Sequence, residues 1–126
     1  MKKKKTKRHA DTWRVIQVPI WHCDVLIYFG SFDGFIKRLE ELGVGYEAVE
    51  SVRNDRPEKT AMASTFRIKY GGGSQAIYAP KKPSSHTLVH ELYHVAYGIL
   101  DAKGILKDDE EAFAYLLEHL FKEATK

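Results

Sequence analysis

The chain has almost nothing that could staple it covalently: Cys23 is the single cysteine among 126 residues. One thiol excludes an internal disulfide, and with it the disulfide-rich class of small secreted domains, so a reducing cytoplasm is the expected setting. Long hydrophobic runs are missing as well. The first apolar stretch, residues 15–28, is interrupted by Gln17, Pro19, His22 and Asp24. A signal peptide or a membrane span needs an unbroken apolar segment, so neither is expected there. No internal repeat is visible, and the opening lysine run is the one low-complexity segment.

Positive charge is scarce outside that run. Of 20 Lys and Arg, six are Lys2, Lys3, Lys4, Lys5, Lys7 and Arg8, which leaves fourteen against 17 Asp and Glu, a body of about minus three. No aromatic residue is interleaved among these lysines. Residues 1–11 therefore read as a disordered basic arm, and contact between the segment from Lys2 to Arg8 and phosphates is the one nucleic-acid interaction it offers. Residues 12–126, with 44% hydrophobic residues in the whole chain, are enough for one domain with a real core and too few for two.

Periodicity orders that domain. Val15, Ile16, Val18 and Ile20, then Val25, Leu26, Ile27 and Tyr28, flank Pro19 and predict two strands joined by a turn. Ser31 or Asp33 can cap a short helix in which Phe35, Ile36, Leu39 and Leu42 recur at helical spacing before Gly43 stops it. Residues 43–60 read as a weak strand leading into a loop. Residues 63–70 and 74–80 form a hairpin across Gly71, Gly72 and Gly73. A cap at Pro83, Ser84 and Ser85 opens a helix over 86–100 with Leu88, Leu92, Val95 and Ile99 as its apolar stripe, and Lys103 and Gly104 end it. Asp108 and Asp109 open a last helix whose buried face is Phe113, Leu116, Leu117 and Leu120. The order predicts an α+β fold: a small mixed or antiparallel sheet packed on these two helices.

The longer helix carries His90, Glu91, Leu92, Tyr93 and His94, an HExxH pattern. Residues four apart share a helix face, so two imidazoles can converge on one ion. Glu91, one residue round, is displaced to where its carboxylate can take a proton from a water on the metal. At about 100° per residue both histidines lie nearly opposite Leu88, Leu92 and Ile99, and face a cleft instead of the core. A catalytic zinc site needs a third protein ligand and one open position. The downstream candidates are Asp108, Asp109, Glu110, Glu111, Glu118 and His119. Glu111 looks away from the core stripe of its helix, as the histidines do; Glu110 is the runner-up, and helix-dipole stabilisation accounts for Asp108 and Asp109. His22, Cys23 and Asp24 cannot close on one ion, because neighbours on a strand point to opposite faces. His9 and His86 are assigned no role.

The HExxH segment, followed by Glu111, Ala112, Phe113, Ala114 and Tyr115, resembles the gluzincin clan of zinc metallopeptidases, whose third ligand is a glutamate on a following helix. It is most similar to small phage- and prophage-encoded metallopeptidase-like proteins, and it also looks like the minimal gluzincins that cleave bacterial repressors. The likeness covers roughly residues 74–121. It implies His90, His94 and Glu111 as zinc ligands and Glu91 as general base of a metalloendopeptidase with a minimal zincin-like fold. The chain departs from metzincins, with Gly98 four residues after His94 in place of a histidine, and from the repressor-cleaving group, with Tyr115 where those proteins have asparagine.

Such an enzyme takes a peptide or protein substrate and zinc as its cofactor. Tyr93, Tyr97, Tyr115 or His119 are the candidate oxyanion donors. By the same resemblance, the strand Gln75–Ala79 is expected to offer its edge to an extended substrate. The competing reading is a zinc-stabilised, catalytically silent module that binds protein or nucleic acid.

Overall fold

A computed structural model describes residues 11–105 and 109–126. The basic residues from Lys2 to Arg8, and Asp108, lie outside the described residues, as do the readings that rest on them. Strands β1 (Thr12–Val18) and β2 (Cys23–Phe29) are followed by helices α1 (Phe32–Glu41) and α2 (Tyr46–Asn54). Strands β3 (Ser64–Arg67) and β4 (Gln75–Ala79) come next, then helices α3 (Ser85–Ala102) and α4 (Glu110–Ala124). The fold is α+β. Its mixed four-stranded sheet runs in the order β1-β2-β4-β3.

The turn at Pro19 is a single 3₁₀ turn, Pro19–Trp21, closed by His22 in the left-handed region at φ 50°. β1 and β2 then pair antiparallel from Thr12 opposite Phe29 to Val18 opposite Cys23. β4 pairs parallel with β2 and antiparallel with β3. The two central strands are thus covered on both faces, which is why each reads as a nearly continuous apolar run with no alternation. On one face Phe35, Leu39, Val49 and Val52 of α1 and α2 pack on Leu26, Tyr28, Phe66 and Tyr78. On the other, Leu88, Leu92, Val95 and Ile99 of α3 and Leu116 and Leu120 of α4 pack on Ile16, Val25, Ile27 and Ile77.

Local chemistry explains most element ends. Ser31, Ser84 and Asp109 accept hydrogen bonds from Gly34, Thr87 and Ala112 N–H groups and cap α1, α3 and α4. Gly43 (φ 86°) and Gly104 (φ 70°) stop α1 and α3. At each, the following amide reaches back to a carbonyl in the last turn, Val44 to Leu39 and Ile105 to Leu100, both at 3.0 Å, the Schellman arrangement.

One element differs from the sequence reading: part of 43–60 is the helix α2 and not a weak strand. Gly45 at its N-cap supplies no side-chain hydrogen bond, so the usual start signal is absent. The helix is held by burial of Ala48, Val49 and Val52, and packing overrides the β preference of the two valines.

Candidate metal and catalytic site

The apolar stripe of α3 fixes which way its polar residues look. With Leu92, Val95 and Ile99 fully buried, His90 and His94 emerge on the exposed side and Glu91 lies at the margin, only 8% exposed. The two imidazoles turn toward each other: their Nε2 atoms are 3.2 Å apart, with ring centroids 4.8 Å apart and nearly perpendicular planes. Glu91 Oε2 lies 4.0 Å from His90 Nε2. Its other oxygen, Oε1, accepts a hydrogen bond of 2.8 Å from the Thr65 hydroxyl of β3.

That distance can be compared with what a metal needs. Two Zn–N bonds of about 2.0 to 2.1 Å meeting at a near-tetrahedral angle put their nitrogens about 3.3 Å apart. The observed pair fits zinc on this measure. A hydrogen bond between the rings meets the same distance with one nitrogen protonated. Among the described residues, no three His, Cys, Asp or Glu side chains form a group that could hold a metal ion.

Glu110, Glu111 and Glu118 are exposed on α4. Asp109 is used as the α4 cap, its Oδ1 accepting from Ala112 N–H at 3.0 Å. His119 turns to β1, where Nε2 sits 3.1 Å from the Gln17 carbonyl. Tyr115 is exposed, and Tyr97 is half-buried. Tyr93 packs edge-on near His94 and lies 5.0 Å, ring to ring, from Phe113, so it joins α3 to α4 beside the histidines. Cys23 is buried and Asp24 exposed, on opposite faces of β2 as strand geometry requires, while His22, expected on the same strand, instead closes the 3₁₀ turn before it and is exposed.

The strand expected to receive substrate needs correcting. Gln75–Ala79 is β4, which has neighbours on both sides and no free edge. β3 pairs with β4 alone, so the free edge beside α3 belongs to β3. Ile68 donates to the Ser74 carbonyl at 3.0 Å, which makes that pair hydrogen-bonded. Counting in twos, Phe66 and Ser64 are bonded likewise, while the N–H and C=O groups of Thr65 and Arg67 face outward. A cleft of about 450 Å³ runs along this edge, walled by Ser51 and Val52 of α2 and by Asp55 just after it, and it contains none of His90, Glu91 and His94.

Sequence reasoning passed over Thr65, since a lone threonine in a strand carries no signal. A larger, mostly apolar hollow of about 600 Å³, lined by residues such as Leu39, Leu42, Val44 and Ile68, contains none of the histidines or Glu91. Among the described residues no helix is long and apolar enough to cross a membrane. The chain matches no known protein family, no curated protein and no solved structure.

Proposed function

We propose that the chain is a zinc-dependent hydrolase that cleaves peptide bonds, with His90 and His94 as ligands, Glu111 as the third ligand and Glu91 as general base. The observation that carries this reading is the convergence of two Nε2 atoms at 3.2 Å beside a nearly buried carboxylate. A solvated surface pair gives no reason for a neighbouring glutamate to be withdrawn from water, whereas a proton-transfer group is expected to be fixed and partly desolvated. When bound, zinc supplies a Lewis acid and lowers the pKa of water towards about 7.

The chain's own residues do the rest. Glu91 accepts a proton from the attacking water and returns it to the leaving amine. The outward amide and carbonyl groups of Thr65 and Arg67 pair with an extended peptide, as an added strand would. This favours a peptide over a compact small molecule, because an open strand edge recognises main chain. Exposed Tyr93, its ring centroid 6.1 Å from that of His94, is the first candidate for oxyanion donation, and exposed Tyr115 is another.

Glu91→Gln tests the reading. Zinc content and melting temperature stay at their wild-type values, while hydrolysis, read as new protein termini in cells expressing each form, falls at least about 100-fold, the scale of a lost general base. Cleavage that survives the substitution overturns the assignment. Metal analysis of Glu111→Ala tests the third ligand, and full zinc occupancy in that variant reassigns the role.

A further inference from the structure

We infer that Thr65 is the positioning residue of this site: its hydroxyl fixes the Glu91 carboxylate and ties the base to the strand edge on which substrate is laid. The inference rests on the hydrolase reading above. Thr65 and Glu91 are brought together only by the packing of α3 against β3. The hydroxyl is 2.8 Å from Oε1 and 3.4 Å from the Glu91 carbonyl, and Glu91 is 8% exposed. A nearly buried carboxylate has few partners to choose from, so one good hydrogen bond decides which oxygen is engaged and which remains open.

Here Oε1 is engaged and Oε2 is left on the histidine side, 4.0 Å from His90 Nε2. The open oxygen is therefore the one that would face an ion held by His90 and His94. The backbone of the same residue faces the free edge of β3, as the alternating pairing of the hairpin requires. One residue thus carries a main-chain contact to an extended peptide and a side-chain contact to the group that moves the proton. A peptide seated on the edge therefore lies against the residue that holds the base.

The test compares wild type, Thr65→Val and Thr65→Ser, each loaded with Co²⁺ and titrated with acetohydroxamate while the visible spectrum is followed. Acetohydroxamate binds as an anion, and a carboxylate beside the metal favours it by taking up its hydroxyl proton in place of solvent, so its affinity reports where the base stands without any turnover. Thr65→Val, which keeps the shape and removes the hydroxyl, is expected to weaken acetohydroxamate about 10- to 100-fold, the scale of a lost hydrogen bond to a charged group. Thr65→Ser is expected to bind like wild type, and Co²⁺ affinity and melting temperature are expected to be the same in all three. Equal acetohydroxamate affinity in wild type and Thr65→Val overturns the role of Thr65 and leaves the zinc reading standing. Failure of all three to bind Co²⁺ overturns the zinc reading and this inference with it. Loss of Co²⁺ affinity in Thr65→Val, restored in Thr65→Ser, reassigns the hydroxyl to holding the ligand set and overturns its role as the partner of the base.

Discussion

Replacing Gly98 with alanine tests how closely α3 must lie on the sheet. Gly98 faces β4, and a Cβ built there stands 2.1 Å from Gln75 Nε2 and 2.8 Å from both Cδ and Oε1. Gln75 is 2% exposed and its Oε1 has no hydrogen-bond partner among the described residues, so an added methyl displaces the carboxamide from its packed position toward the hollow that it lines together with Gly98. Two effects oppose each other. Alanine is favoured over glycine in a helix interior by about 1 kcal/mol, whereas forcing an extra methyl into a packed site costs about 1 to 3 kcal/mol.

The net expectation is a loss of up to about 2 kcal/mol, which at roughly 4 °C per kcal/mol for a chain of this size lowers the melting temperature by as much as about 8 °C. Repeating the substitution in a Gln75→Ala background removes the clash and leaves the helix preference, so Gly98→Ala there should raise the melting temperature by about 4 °C. Calorimetry of the four proteins gives the coupling directly. A Gly98→Ala effect of the same sign and size in both backgrounds, additive to within about 0.5 kcal/mol, refutes the argument.

Two further expectations follow from the site and from the start of β1. At a zinc concentration 100 times its dissociation constant, binding stabilises the folded state by about 2.7 kcal/mol. That should appear as a rise of roughly 10 °C, reversed by EDTA and absent in His90→Ala; an unchanged His90→Ala response would place the ion elsewhere. At the other end of the sheet, hydrogen bonds from the Tyr28 hydroxyl, and then from Ser31, hold the Asp11 carboxyl below its ordinary range. A depressed folded value means this stability is fully present above the ordinary carboxylate pKa of about 3.9 and is lost as pH falls through the lower folded one. Burial, and then the Asp11 contact, push Tyr28 up, so its contribution is complete below about pH 10 and declines as pH rises beyond it. Denaturation followed across pH should therefore show Asp11→Asn with a weaker acid decline and Tyr28→Phe with a weaker alkaline one. Superimposable profiles for wild type and variants would contradict this.

The sequence alone determined what is decided within a turn or two of chain. Ser31, Ser84, Asp109, Gly43 and Gly104 act on backbone groups a few residues away, so helix ends at these positions were legible, and so was the face of α3 that carries His90 and His94. The hairpin of β3 and β4 was legible for the same reason, its strands being joined across three glycines. Helix α2 was not, because Gly45 gives no side-chain cap and the helix exists through what Ala48, Val49 and Val52 bury. Strand order was beyond local pattern: Val25 pairs with Gln75 across fifty residues, and that pairing alone makes β4 central and β3 the edge. Thr65 reaches Glu91 by the same route, since its hydroxyl meets that carboxylate only after the sheet is assembled and α3 is seated on it. Spacing along the chain fixed which groups share a helix face, because helical geometry repeats every few residues; which strand lies beside that face was settled by burial summed over both sides of the sheet, a quantity no short stretch of sequence contains.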